Sequence, residues 1–330
     1  MEKAENFFMI DQYGREIDYL RISLTQRCNL RCIYCMPEEN AEIQKEDLTF
    51  EEIVRIVSLM SQLGIRHVRL TGGEPLLRKN VQDLVRQLKK ISGIETVHLT
   101  TNAVLLDQMI DGLAEAGLDG INISLDTTER ENFARITRRD CISLVEKGLT
   151  SLKKYPNMTV KINCVMMDQE EQEFLDIAKL AKENPFYVRY IEMMPIGLGR
   201  QQKGKREDEM KELLKKKYGA YKEVKEKIGS GPSHYYEFQN FQGKIGFISA
   251  VTHKFCSSCN RVRLTSEGFL KTCLQYEIGG DLKSLLRNGA EDEMILENMK
   301  EIIFHKPKEH QFLKPLQGQE EHHLMSQIGG

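Results

Sequence analysis

The chain lacks any apolar run that approaches the length of a bilayer span, so nothing in it reads as a transmembrane helix. It also lacks a surplus of either charge. Its 47 Lys and Arg against 49 Asp and Glu leave a formal net charge of −2, which gives no electrostatic reason to bind nucleic acid or a membrane surface. The start, Met1-Glu2-Lys3-Ala4-Glu5-Asn6, has no basic leader followed by an apolar stretch, so a secretory signal is not expected. Low-complexity tracts are missing too, and so are internal repeats beyond an alternation of strand-like and helix-like segments. What remains is a 330-residue chain with 40% hydrophobic and 29% charged residues, enough for one large domain or two ordinary ones. Its eight cysteines point to a reducing cytoplasm, where cysteine clusters hold metals more often than they form disulfides.

Three of those cysteines stand in Cys28-Asn-Leu-Arg-Cys32-Ile-Tyr-Cys35, and no fourth cysteine or histidine is near; the first histidine is His67. A zinc site at this spacing would close tetrahedrally with a fourth protein ligand. A disulfide framework would need an even set of partners. A cubane cluster normally takes four thiolates, so three would hold three irons and leave the fourth open. An incomplete iron–sulfur site is therefore expected.

Apolar, β-branched runs predict strands at Tyr19–Ser23, His67–Thr71, Thr96–Thr100, Gly120–Leu125, Thr159–Val165 and Tyr187–Met193. Between them, Ile53, Ile56, Val57 and Met60 form one helical stripe and Leu84, Leu88 and Ile91 another; both read as core. Repeated strand–helix alternation argues for a parallel sheet with crossover helices. The Lys-, Glu- and Gly-rich stretch 197–233 reads as a boundary, with a short helix at Asp208–Lys217. Beyond it, Tyr235–Phe238 and Lys244–Ser249 flank Gln242-Gly243 like a hairpin and begin a smaller unit. The expected division is 1–233 and 234–330.

In barrels of this alternation the chemistry gathers at the C-terminal strand ends. There the sequence carries Thr71-Gly72-Gly73-Glu74-Pro75, Thr100-Thr101-Asn102, Ser124-Leu125-Asp126 and Glu192-Met193-Met194-Pro195. Paired glycines let backbone approach a ligand closely, although two glycines alone would be a plain turn. Lys161 and Asn163, two apart on a strand, point to one face. Such a ring suits a polar ligand with phosphates.

A second triad follows in Cys256-Ser-Ser-Cys259 and Cys273. By spacing alone, zinc and iron–sulfur suit it equally, since His253 could complete a Cys3His site. Arg261 and Arg263 alternate on a strand leaving these cysteines, and their forks match phosphate oxygens. That favours a ligand site over a structural knuckle.

The first triad with its preceding Tyr34 resembles the signature of the radical S-adenosylmethionine (SAM) superfamily. The second triad with Arg261-Val262-Arg263, Gly231-Pro232, Tyr235-Tyr236 and the tail Met325-Ser-Gln-Ile-Gly-Gly330 narrows the resemblance to the GTP 3′,8-cyclase family of molybdenum cofactor biosynthesis. It runs from about Asp18 to the end; Ala103 stands where that family usually has glycine. The resemblance implies a partial (β/α)6 TIM-like barrel with a smaller C-terminal cluster-binding domain. It implies two 4Fe-4S clusters, on Cys28, Cys32 and Cys35 and on Cys256, Cys259 and Cys273. Tyr34, Gly73, Ser124 and Met194 would contact SAM. Arg21, Arg69, Thr100, Lys161, Arg261, Val262 and Arg263 would contact GTP, and Arg21, Arg261, Arg263, Gly329 and Gly330 would serve catalysis. A 5′-deoxyadenosyl radical would take hydrogen from ribose C3′, and the carbon radical would attack guanine C8. An external electron donor, a downstream cyclic pyranopterin synthase and a homodimer are implied as partners.

Two other readings stay open from sequence. One is a radical SAM enzyme that modifies a peptide and relays electrons through its second cluster. The other is a non-catalytic metal-binding module with zinc at the second triad. Cys141 and Cys164 belong to neither triad and read as core thiols. His98, His234, His305, His310, His322 and His323 show no ligand spacing.

Overall fold

A computed structural model describes residues 8–38, 46–313 and 323–329. Six strands follow in chain order: β1 (Tyr19–Ser23), β2 (His67–Thr71), β3 (Thr96–Thr101), β4 (Gly120–Ser124), β5 (Thr159–Met166) and β6 (Tyr187–Glu192). They lie side by side in that order, all parallel. Helices α1 (Phe50–Gln62), α2 (Val81–Leu88), α3 (Leu106–Glu115), α4 (Arg130–Thr137), α5 (Ile142–Ser151) and α6 (Glu171–Glu183) make the crossovers. The parallel sheet with crossover helices is what the alternation led us to expect, and the partial (β/α)6 barrel is what the resemblance implied.

Local chemistry sets each element. Helix α1 starts at Thr49, whose hydroxyl accepts from the Glu52 amide while the Glu52 carboxylate accepts from the Thr49 amide. Its stripe Ile53, Ile56, Val57 and Met60 is buried, as are Leu84 and Leu88 of α2. Ile91 lies past the end of α2 and is only partly buried. On the strands a two-residue period divides the side chains. Leu20 and Ile22, Val97 and Leu99, Ile121 and Ile123, and Val160, Ile162 and Cys164 pack under the helices. Their neighbours Arg21, Thr100, Asn122, Lys161 and Asn163 face the opposite way, into a common cavity.

The stretch 197–233 holds more structure than its composition indicated. The short helix expected at Asp208–Lys217 is present as α7 (Glu207–Tyr218) and buries Met210 and Leu214, and a strand that was not expected, β7 (Tyr221–Val224), follows. The expected hairpin is present as β8 (His234–Phe238) and β9 (Lys244–Ile248). Strand β9 pairs in parallel with β6, so the hairpin continues the barrel sheet rather than starting another. On the far edge β10 (Arg261–Leu264) pairs in parallel with β1, and β11 (Phe269–Lys271) and β12 (Gly279–Asp281) add antiparallel strands. Helices α8 (Leu282–Arg287) and α9 (Asp292–Phe304) follow; α9 packs on α1 and β12. A short helix, α10 (Met325–Ile328), brings the tail back. The sheet thus has two ends, β12 and β7, and stays open as a barrel.

Candidate functional site

Residues from β1 to β6, from β10 and from the segment following β9 line one cavity of about 340 Å3. All six cysteines of the two triads face it, together with Tyr34, Gly73, Ser124, Met194, Arg21, Arg69, Thr100, Lys161, Arg261 and Arg263. Chain segments more than 200 residues apart meet there because β10 docks on β1, with Arg21 opposite Arg263.

Register builds the electrostatics. Arg263, Arg21 and Arg69 stand abreast on β10, β1 and β2, and His98 continues the row on β3. Adjacent strands lie roughly 4.8 Å apart, so three guanidiniums crowd one wall. Burial first, then Arg263, hold the Arg21 guanidinium well below its usual pKa. Burial, then Arg261, bring Arg263 to about 10. Lys161 falls to about 7 through burial and the charges of Arg189 and Arg69. Arg69 and the neighbouring Arg189 have neutral hydrogen-bond partners. Arg69 donates to Tyr19 Oη and lies 3.0 Å from His98 Nδ1, and its Nη1 is buried without a partner. Arg189 forks onto Asn163 Oδ1 at 2.9 and 2.5 Å. Asp126 is the one carboxylate among the cavity-lining side chains of the described residues, and burial pushes it up to about 6. A wall this cationic favours a polyanion.

The first triad lies on the loop after β1. Gly73 fixes that loop from below. Its amide donates to Thr25 O at 2.7 Å, the Glu74 amide donates to Arg27 O at 2.8 Å, and a Cβ at residue 73 would stand 2.3 Å from Arg27 O. Only glycine fits this approach. The Glu74 carboxylate turns inward and takes hydrogen bonds from Thr101 Oγ1, the Asn102 amide and the Leu76 amide; burial still lifts it to about 7. Tyr34 Oη donates to Asp126 Oδ2 at 2.8 Å.

The thiols suit iron–sulfur ligation. None is in a disulfide. Burial, then the neighbouring Cys35 and Asp126 charges, raise Cys32; burial and Cys28 push Cys35 up to about 12. Thiolates that penalise one another are relieved by a bound cation, and soft sulfur donors select iron–sulfur clusters or zinc. The Leu30 amide and Asn102 Nδ2 already point at Cys28 Sγ, at 3.4 and 3.8 Å. In the second triad burial opposes ionisation of Cys259, yet Lys306 and Arg261 bring its pKa below the usual value. Among the described residues no set of three Cys, His, Asp or Glu side chains already converges on one point.

Some sequence readings land elsewhere. Val262 points its side chain into the core on the face opposite Arg261 and Arg263, so it offers the cavity no side-chain contact. His253 is exposed, with Nδ1 3.2 Å from Thr252 Oγ1 and 3.9 Å from Glu207 Oε2, and does not face the triad. Cys164 is buried as expected, whereas Cys141 is only half-buried beneath the start of α5. Gly329 reaches the guanidinium row: its carbonyl accepts from Arg263 Nη1 at 2.9 Å and from Arg21 Nη2 at 3.4 Å. Gly330 and His322 lie outside the described residues.

Other contributors escaped sequence reasoning. Arg189 sits two residues into β6, and the strand period that placed Lys161 would have placed it too. The turn Ser230-Gly231-Pro232 lines the cavity. Arg15 and Lys306 had no local signal. Buried Arg15 pairs with Asp11 at 2.6 Å and donates to Cys256 O at 2.9 Å and to Pro307 O at 2.8 Å, clamping the second triad's loop. Lys306 Nζ donates to Arg261 O at 2.9 Å and to Thr272 O, beside Cys273.

The barrel, the cysteine loop on a glycine shelf and the inward polar row define an enzyme of the radical SAM class. Residues 22–181 match the radical SAM superfamily, and residues 186–312 match the family described as Molybdenum Cofactor Synthesis C. The solved structure of Streptococcus suis SuiB shares the fold, with a TM-score of 0.60 at 14% identity over 89% of this chain and 68% of that one. The GTP 3′,8-cyclase of Clostridium perfringens is 45% identical over 327 residues, covering 98% of this chain and all of that protein. The GTP 3′,8-cyclase of Desulforamulus reducens is 41% identical over 331 residues, again covering 98% of this chain and all of that protein. The chain belongs to the GTP 3′,8-cyclase family.

Proposed function

We propose that this chain converts GTP to (8S)-3′,8-cyclo-7,8-dihydroguanosine 5′-triphosphate, joining ribose C3′ to guanine C8 in the first step of molybdenum cofactor biosynthesis. The observation that carries this reading is the single cavity faced by both thiol triads and by the row Arg263, Arg21 and Arg69. A metal-binding scaffold has no use for that row. A peptide-modifying enzyme has no evident anion to place against it.

Cys28, Cys32 and Cys35 would hold one 4Fe-4S cluster, and Cys256, Cys259 and Cys273 a second that leaves an iron for the guanine. With SAM bound, the first would supply the electron for the cleavage that yields a 5′-deoxyadenosyl radical. The chain's own residues do the rest. Tyr34, Gly73, Ser124 and Met194 orient SAM. Arg69, Lys161 and Arg189 hold the triphosphate, with Thr100 beside them. Arg21, Arg261 and Arg263 position the nucleotide together with the tail at Gly329 and Gly330. A buried cavity keeps a primary-carbon radical away from water and sets one C–H bond before it. Forming the C3′–C8 bond leaves an unpaired electron on the purine, so one electron from an external donor and one proton complete the product.

On this reading residues 1–233 are the barrel with its N-terminal extension, and residues 234–330 are the unit for the second cluster and the nucleotide. Among the described residues no helix is long and apolar enough to cross a membrane. A cytoplasmic homodimer that passes its product to a cyclic pyranopterin synthase completes the proposal. Reconstituted protein with SAM and reductant should form 5′-deoxyadenosine in step with GTP loss; SAM cleavage with GTP untouched would leave the class standing and remove the substrate.

A further inference from the structure

Beside the second triad, two buried side chains present polar atoms to the cavity with nothing to bind. Gln275 is 3% exposed and His310 7% exposed. Both line the cavity with Cys256, Cys259 and Cys273. The Gln275 carboxamide is fixed at one end, where Oε1 accepts from the Gln311 amide, and its Nε2 is left without a partner. His310 is held by its ring, stacked on Phe312 at 4.2 Å between centroids, and its backbone amide lies beside the Cys256 thiol, where it favours the thiolate. Both ring nitrogens lack a hydrogen bond; the Ala250 backbone lies near the ring without meeting hydrogen-bond geometry.

Buried donors without partners are rare in native proteins, and those that occur mark a missing ion, water or group. We propose that Gln275 and His310 are positioning residues for the second cluster. Gln275 Nε2 and one His310 ring N–H donate to its sulfur atoms. Neither side chain is a ligand; the triad supplies those. Three features support sulfur as the acceptor. Both groups stand on segments that carry or adjoin the triad: Gln275 two residues after Cys273, His310 with its amide beside Cys256. A carboxamide N–H is a donor only, and sulfur of an iron–sulfur cluster is an acceptor rich in negative charge. Hydrogen bonds to such sulfurs help to set a cluster's reduction potential. A donor stabilises the reduced, more negative state over the oxidised one, so this pair raises the potential of the second cluster relative to one in a purely apolar wall.

The inference rests on iron–sulfur occupancy of the second triad, and the experiment separates the two. Wild type, Gln275→Leu and His310→Phe holoenzymes are compared by metal analysis and by redox titration monitored with EPR, the second cluster's signal being the one that changes when GTP is added. Expected is unchanged iron content, a more negative midpoint for that signal in each variant, and an unmoved midpoint for the first cluster. If Gln275→Leu fails to load iron, Gln275→Met keeps the length without the N–H and takes the same measurement. Loaded iron with unmoved midpoints, or equal shifts at both clusters, overturns the donor pair. So does a tenfold loss of GTP affinity with unmoved midpoints, which would make the pair a contact to the base. Zinc in place of iron at the second triad would remove the cluster reading itself.

Discussion

Arg263 Nη1 donates to the carbonyl oxygen of Gly329 at 2.9 Å, across 66 residues of sequence. The tail is therefore placed against the guanidinium row and not frayed, with the Ser326 amide beside the Cys35 thiol on its way. Gly329 adopts φ 73°, and a Cβ there would stand 2.7 Å from Thr71 Oγ1. A residue other than glycine in this left-handed region is strained by about 1–2 kcal/mol. Gly329→Ala is expected to lower cyclised product at least about tenfold, with the melting temperature nearly unchanged. Liquid chromatography of the product and a thermal melt read both, and wild-type activity in the variant would free the tail of any role.

Lys161 sits near neutrality, at about 7, because burial and the Arg189 and Arg69 charges disfavour its ammonium form. A triphosphate beside it would favour that form and raise its pKa, so GTP binding takes up a proton. Affinity should weaken as pH climbs through about 7, by up to about tenfold per unit. Calorimetry in buffers of different ionisation heat measures the uptake. Lys161→Met should bind GTP less tightly and flatten the pH dependence; an unchanged slope would place the triphosphate elsewhere.

Arg15 and Asp11 form an ion pair whose side chains are 5% and 0% exposed. Removing one partner strands the other, at a cost of about 3–5 kcal/mol. Arg15→Met should lower the melting temperature and also loosen the loop at Cys256, whose carbonyl Arg15 holds. Iron content is then expected to fall toward that of one cluster, read by metal analysis on anaerobically reconstituted protein.

Gly73→Ala would bring a methyl group to 2.3 Å from the Arg27 carbonyl, a backbone atom that cannot swing aside. The loop that carries Cys28 has to move. SAM binding should be lost while GTP binding stays near wild type, since Arg21 and Arg69 stand within β1 and β2, before the two loops that shift, and Arg263 stands on β10. Equal loss of both ligands by equilibrium dialysis would point to general unfolding.

Much of this was legible in the sequence because periodicity carries it. The six parallel strands, the stripe of α1 and the inward direction of Lys161 and Asn163 all follow from local spacing. The triads were legible because ligand spacing is short in sequence. Pairing across the chain was not. Nothing local told that β10 docks on β1, and so that Arg263 stands beside Arg21. Arg15, Lys306 and His310 reach the second triad from segments that only the fold brings together. Val262 was placed by its neighbours' motif, and the strand period itself turns it away.

The most direct test of the central claim follows one hydrogen. With GTP deuterated at ribose C3′, the cyclase account expects deuterium in the 5′-deoxyadenosine formed, seen as a gain of about one mass unit in its mass spectrum. It also expects none when the label is at C2′. Unlabelled 5′-deoxyadenosine from C3′-deuterated GTP, with product still formed, would contradict hydrogen abstraction at that carbon.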